Sequence, residues 1–245
     1  MAKLCVIPAR GGSKRILHKN TRFFRGKPII AWSIEAAIKA GCFDNIIVST
    51  DNIKIAEVAL AYGANVPFLR PDRLADDHAS TMDVMSHAVD WALSQLEVLT
   101  AVCCLYATAP FVQPNDLLQA AWQLERSRAG TVLFTATSFP FPIERAIHLD
   151  PDGYAISVNP EAIAKRSQDF KEAFHDAGQF YWARPERWKG SSNLFDGSRP
   201  LLLPRWRVHD IDTEEDWHRA ELIHAALGQN DIHDRFNSCC RCSSR

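Results

Sequence analysis

The chain has 245 residues and carries 28 Lys and Arg against 29 Asp and Glu, a formal charge of −1. With 47% hydrophobic and 23% charged residues it has the composition of an ordinary globular protein, which excludes chain-wide disorder, and the near-neutral total excludes a nucleic-acid binder that relies on overall basic excess. No apolar run nears the ~18 residues of a membrane helix, and Arg10 interrupts the apolar start before a signal-peptide core can form, so a cytoplasmic protein is expected.

Taken in chain order, short β-rich runs alternate with amphipathic helices. Leu4–Pro8 reads as a strand ending in a glycine-containing loop. A helix follows from Pro28 to Ala40 with Ile30, Ile34, Ala37 and Ile38 on one face. Asn45–Thr50 reads as a buried strand, Ile53–Tyr62 as a helix stopped by Gly63, and Val66–Leu69 as a short strand. Ser80 or Thr81 caps a helix to about Leu96 whose inner face is Met85, Val89, Ala92 and Leu96. Then come a strand at Thr100–Tyr106, a helix from Pro114 to about Arg126, and a strand at Thr131–Ala136. This alternation predicts an α/β fold with a doubly wound, mostly parallel sheet. The rhythm breaks between Ser138 and Trp182, where an inserted lobe is expected. It resumes with a strand near Arg207–Ile211 and a closing helix at Thr213–Leu227. Residues 1–228 are therefore read as a single domain with a lobe at about 138–182, and the polar residues 229–245 as a disordered tail. Cys5, Cys42, Cys103 and Cys104 read as small buried hydrophobes. Cys239, Cys240 and Cys242 lack the spacing of a zinc site and read as exposed and incidental.

The segment from Ile7 through Asn20 (IPARGGSKRILHKN) leaves the first strand, the edge where ligands bind in a doubly wound sheet. Gly11 and Gly12 let backbone N–H groups approach a phosphate, Arg10, Lys14 and Lys19 supply cations, and Ser13 offers a hydroxyl. Neither a P-loop nor GxGxxG is present, which weakens ATPase and dinucleotide readings. A solvated basic turn is the competing interpretation. Near the other end, Asp210 and Asp212 flank Ile211, and a spacing of two places both carboxylates on one side of an extended chain. Such a pair suits Mg²⁺ alongside nucleotide phosphates, although Asp212 or Thr213 also fits a helix cap. Charge is distributed to match. Residues Met1–Lys27 hold eight Lys and Arg and no acid, while Asp210–Asp216 holds five acids and no base.

Together with GKPIIAWSIEAA, VSTD (Val48–Asp51), FLRP (Phe68–Pro71), ATAPF (Ala107–Phe111) and DIDT (Asp210–Thr213), the basic segment resembles the CMP-sialic acid synthetase family, cytidylyltransferases that activate nine-carbon α-keto acid sugars. The likeness runs from about Lys3 to Leu227, and departs at Leu17-His18, where the family often has proline. It implies a Rossmann-like nucleotidyltransferase fold, a small inserted dimerisation lobe, and CMP transfer from CTP with Mg²⁺. On this resemblance Arg10, Gly11, Gly12, Ser13, Lys14 and Lys19 hold the triphosphate. Asn20, Arg70, Ser80 and Thr81 contact the cytidine part, and Asp210 and Asp212 bind metal. Arg10, Lys14, Lys19 and Asp212 are the catalytic candidates, Asp212 also being a possible proton acceptor.

For the sugar, the segments Ser138–Ala146 and Arg166–Trp182 resemble the branch that takes pseudaminic acid, and Tyr106 stands where sialic-acid enzymes typically carry glutamine. Tyr106, Thr108, Arg166, Gln168, His175, Asp176, Gln179 and Tyr181 are the candidate sugar contacts, with Arg166 suited to the carboxylate. For His175-Asp176 a turn pair, and for Tyr181-Trp182 a core role, are the competing interpretations. Legionaminate, N-acetylneuraminate and 3-deoxy-manno-octulosonate are alternative substrates, and a catalytically silent nucleotide-binding regulatory module is the alternative of another class. A homodimer is implied, with no nucleic-acid or membrane partner.

Overall fold

The computed structural model describes residues 2–76, 79–190 and 193–229. Its strands and helices are β1 (Ala2–Pro8), β2 (Phe23–Phe24), β3 (Lys27–Pro28), α1 (Ile29–Ala40), β4 (Asn45–Ser49), α2 (Ile53–Ala61) and α3 (Thr81–Gln95) in the first half. In the second half follow β5 (Leu99–Leu105), α4 (Pro114–Glu125), β6 (Leu133–Ser138), β7 (Ile147–Leu149), β8 (Ala155–Ser157), β9 (Phe174–Ala183), β10 (Arg199–Leu202) and α5 (Glu214–Gln229). Six strands form one sheet in the order β10-β6-β9-β5-β1-β4. β4, β1 and β5 run parallel, as do β6 and β10, and β9 lies antiparallel between β5 and β6. The doubly wound, mostly parallel sheet read from the sequence is therefore present. No helix among the described residues is long and apolar enough to cross a membrane.

Alternation along β1 explains the layers. Cys5 and Ile7 point into one core with Ile30 and Ile34 of α1, Ala59 of α2 and Leu117 of α4. Leu4 and Val6 point into the opposite core with Met85, Val89 and Ala92 of α3 and Trp188. A third cluster joins Ile16, Phe24, Phe111, Ile211 and Trp217, and so packs α5 against the loop after β1. Cys5, Cys103 and Cys104 are buried, and burial pushes the half-buried Cys42 thiol up to about 11, so these thiols serve as packing groups.

Four expectations are corrected. Ile38 points outward, 47% exposed, because α1 packs through Ile30, Ile34 and Ala37. Val66–Leu69 forms no strand; only Asn65 and Leu69 bridge the β4 edge. Arg207–Ile211 is not a strand either. Arg205–Arg207 is a turn of 3-10 helix followed by unpaired chain, and the sheet's last strand is β10. The expected lobe is also shorter than predicted, since β9, covering Phe174–Ala183, belongs to the main sheet with Phe180, Tyr181 and Trp182 all buried. The expectation of a disordered tail, with its three cysteines, lies outside the described residues apart from Gln229, which ends α5.

Beneath the chain that leads to Asp210, Arg207 forms a buried ion pair with Asp116 at the start of α4 and donates to the Phe111 carbonyl. Removing one member of a buried pair strands the other charge. Asp116→Ala is therefore expected to cost about 3–5 kcal/mol in urea denaturation, whereas loss of an exposed pair such as Lys189–Asp90 costs ~1 kcal/mol or less.

Candidate active site

The strand order reverses direction at β1, with β4 on one side and β5 on the other, so a crevice opens at its carboxyl end. There the chain runs into the basic loop, and a cleft of about 430 Å³ forms over it. Arg10, Ser13, Lys14, Arg15 and Lys19 line one wall, Tyr106 and Thr108 after β5 line another, and Asp212 closes the third. The acidic and basic segments thus meet. Lys19 Nζ donates to the Ile211 carbonyl and lies 3.2 Å from Asp212 Oδ1, and Arg15 reaches Asp212 Oδ2 at 2.8 Å. Asn20, buried, donates from Nδ2 to the Arg10 carbonyl at 2.9 Å and so shapes the loop.

The glycines divide the work. Gly11 donates its N–H to Asp51 Oδ1 at 2.9 Å, so that donor is turned toward the protein. A Cβ there would stand 2.7 Å from Asn52 Nδ2 and 3.0 Å from its Cβ, which is a packing reason for glycine. Gly12 has open space around its Cα. A second cavity of about 230 Å³ shares Pro8 and Arg10 with the cleft and is lined by Arg70 and Thr81. Arg70 is buried, 3.9 Å from Asp51, and among the described residues its Nε and Nη2 have no hydrogen-bond partner. Burial is the main reason its guanidinium is held below its ordinary basicity, with Asp51 opposing. Ser80 instead forms a capping box with Asp83 on α3, its hydroxyl 2.6 Å from Asp83 Oδ2.

Behind Tyr106 stands the irregular part of β9. Phe134 pairs with Tyr181 and Ala136 with Asp176, so Ala177–Phe180 oppose Thr135 alone, and Gly178 takes φ +60° to make this bulge. The bulge brings the Asp176 carboxylate back to the Tyr181 hydroxyl, which donates to it. Gly178 N–H donates to the other oxygen of Asp176 at 3.0 Å. Gln179 is buried, and its amide donates to the Arg207 carbonyl at 2.6 Å, tying β9 to the chain that carries Asp210. His175 Nδ1 faces the Asp176 carbonyl at 2.8 Å and its ring stands 4.8 Å from Phe139. Arg166 and Gln168 lie exposed on the lobe and are not brought to the cleft of their own chain.

Asp210 and Asp212 sit on unpaired chain between the 3-10 turn at Arg205–Arg207 and α5. Partial burial and then the neighbouring Asp212 charge raise the Asp210 carboxyl above its ordinary value. Two hard oxygen donors that repel one another, beside a cation-lined cleft, fit Mg²⁺ chemically. Among the described residues no cluster of three His, Cys, Asp or Glu forms, and of the pair Asp212 alone lines the cleft. Sequence reasoning missed Arg15 and Asp51 as site residues, although both lie within quoted motifs. Arg15 is one basic residue among many, and nothing in spacing marked it as the partner of Asp212.

The sequence model of the cytidylyltransferase family matches residues 4–183. Pseudaminic acid cytidylyltransferase of Campylobacter jejuni is 42% identical over 225 residues, covering 91% of this chain and 97% of that protein. CMP-N,N'-diacetyllegionaminic acid synthase of Legionella pneumophila is 34% identical, covering 91% and 96%. Among solved structures, a CMP:2-keto-3-deoxy-manno-octonic acid synthetase complexed with CTP superposes with a TM-score of 0.67 at 18% identity over 92% of this chain and 99% of that one, a likeness of fold.

Because the Gly11 Cα packs against the Asn52 side chain that caps α2, Gly11→Ala is expected to destabilise by about 1–3 kcal/mol in chemical denaturation. Gly12→Ala, in open space, should leave stability within ~0.5 kcal/mol of wild type.

Proposed function

The chain belongs to the cytidylyltransferase family, and on that premise we propose that it transfers CMP from CTP to the anomeric hydroxyl of pseudaminic acid, releasing pyrophosphate. The observation that carries this reading is the meeting of Arg10, Lys14 and Lys19 with Asp212 on one cleft beside Tyr106 and Thr108.

In the proposed reaction the sugar hydroxyl attacks the α-phosphorus and gives up its proton, for which Asp212 is the candidate acceptor, while the bond to the bridging oxygen breaks and pyrophosphate carries away the electron pair. Positioning and charge stabilisation do most of such chemistry. Arg10, Ser13, Lys14 and Lys19 hold the triphosphate. The cavity of Arg70 and Thr81 takes the nucleoside, where the two unpartnered Arg70 nitrogens have donors to give. Asp210 and Asp212 would hold Mg²⁺, which when bound offsets phosphate charge and acidifies the attacking hydroxyl. Arg15 and Lys19 keep the Asp212 carboxylate oriented toward the cleft. Tyr106 and Thr108 face the sugar.

A homodimer belongs to the same reading. The lobe between β6 and β9 exposes Phe141 (79%), Tyr154 (73%) and Leu149 (68%), apolar surface that association would cover, and it carries Arg166 and Gln168 away from the chain's own cleft. We place those two residues at the partner's sugar site. Dependence on CTP fits the cytoplasmic setting expected from the sequence.

Pyrophosphate release measured with CTP, Mg²⁺ and a panel of keto-sugar acids tests the proposal. Turnover is expected with pseudaminic acid above legionaminic and N-acetylneuraminic acids. No release with any sugar overturns the enzymatic reading, and a preferred second sugar overturns the substrate. Asp210→Asn and Asp212→Asn are each expected to lower kcat by at least about a hundredfold. Asp210→Asn also removes the like-charge repulsion, so its thermal midpoint should equal or exceed that of wild type.

A further inference from the structure

Gln179 is bonded to two walls of the site at once. It stands in the bulge of β9, is 4% exposed and does not line the cleft. Its backbone carbonyl accepts the Tyr106 N–H at 2.9 Å, and its own N–H donates to Thr135 Oγ1 at 3.4 Å. Its side-chain Nε2 donates to the Arg207 carbonyl at 2.6 Å. The main chain of this residue is thus tied to Tyr106, on the wall proposed to face the sugar, and its side chain to the segment that carries Asp210 and Asp212.

Beyond β10 that segment is held at separate points. Leu203 still bonds to β6, its N–H donating to the Ala136 carbonyl and its own carbonyl accepting from Thr137 Oγ1, both at 2.8 Å. From there to α5 the chain joins no strand. Asp210 then lies between two carbonyls restrained by side chains of different walls. Gln179 of β9 holds that of Arg207, and Lys19 of the basic loop holds that of Ile211. The Arg207 guanidinium is fixed to Asp116 of α4 and to the Phe111 carbonyl, so the ion pair refers this chain to α4 while the Gln179 bond refers it to β9 and Tyr106. Packing alone does not explain an amide here. Gln179 Oε1 is buried and, among the described residues, has no hydrogen-bond partner. A methionine of similar size would avoid that cost, and what it lacks is the Nε2 donor.

We infer that Gln179 is a positioning residue for CMP transfer, setting the separation between the wall that receives the sugar and the segment that carries the metal ligands. The inference deepens the proposed function and rests on it for the reaction. A misplacement of about 1 Å at a reacting centre costs roughly a hundredfold in rate. Sugar and triphosphate are held by different parts of the chain, so an error between those parts reaches the reacting atoms while each substrate keeps its own contacts. Gln179 touches neither substrate and acts through Tyr106 and Asp210, which takes it out of the sugar contacts expected from the sequence.

Gln179→Met tests this with little change of volume. It takes the donor from one buried acceptor and also removes a buried acceptor that has no donor, so the urea midpoint should stay near wild type. Steady-state kinetics at saturating Mg²⁺, on whichever keto-sugar acid the wild type turns over fastest, should show kcat lowered roughly tenfold to a hundredfold, with KM for CTP and for the sugar each within about threefold of wild type. Gln179→Asn keeps the amide but is one methylene too short for Arg207, and should behave alike. Hydrogen exchange read by mass spectrometry needs neither substrate nor metal. Peptides across Val208–Asp212 should exchange about tenfold faster in Gln179→Met, while those across Phe180–Ala183 keep wild-type protection. A sugar KM raised about tenfold or more makes Gln179 a sugar contact and overturns the inference. Wild-type kcat in both variants does the same, whatever the change in stability, as does wild-type exchange across Val208–Asp212. A wild-type protein that turns over no keto-sugar overturns the proposed function instead, and the exchange comparison still decides whether Gln179 holds the segment.

Discussion

Lys19 joins two parts of the chain separated by 192 residues, and the basic and acidic walls of the site meet at that contact. The loop after β1 is purely basic and the segment before α5 purely acidic, so each repels itself and attracts the other. Exposed ion pairs contribute only ~0–1 kcal/mol each, too little to dock a helix. The docking comes from the apolar layer below. Ile16 in the basic loop and Ile211 between the two aspartates are both fully buried against Phe24, Phe111 and Trp217. Burying a side chain of that size stabilises by about 1.5–3 kcal/mol, so the isoleucines set the distance and the charges above them set the register. Arg22 adds to both layers, pairing with Glu214 while stacking over Trp217.

Much of the first half of this structure was legible because it follows simple rules. A β-branched run, a glycine-rich turn and a helix with a four-residue apolar period leave few alternatives. The same rules fail in the second half for physical reasons. β9 carries Asp176, Gly178 and Gln179 in its middle, residues that argue against a central strand. They are tolerated because the bulge turns their polar groups onto one another and onto the Tyr106 and Arg207 backbones. The stretch Arg207–Ile211 reads from the sequence as a strand that resumes the sheet. Here burial of Ile211 reflects docking onto the loop cluster, not pairing in a sheet. The basic loop, Asp210 and Asp212 were readable as a site. The partners of Gly11 and Asn20 were not, since spacing says which atoms a loop offers but not whether the protein itself takes them.

The cleft is thus built from two unlike halves. Parallel strands and the reversal at β1 position the loop cations that, in the proposed reaction, hold the triphosphate. The antiparallel β9, inserted between β5 and β6, stands behind the opposite wall, where the Tyr181 hydroxyl donates to Asp176. Cations tolerate displacement of a few tenths of an ångström, because Coulomb attraction changes slowly with distance. A hydrogen bond tolerates less, because it weakens steeply with angle.

The lobe completes this division of labour in the proposed dimer. Within one chain Arg145 donates to the Lys165 carbonyl and the Ser167 hydroxyl, which brace the turn that carries the exposed Arg166. In the proposed dimer a sugar carboxylate at the partner's cleft would be an acceptor of the right geometry for that guanidinium. Were the proposed dimer to form, the sugar would be held by residues of both copies, while the nucleotide would be held by the loop cations and Arg70 of one chain.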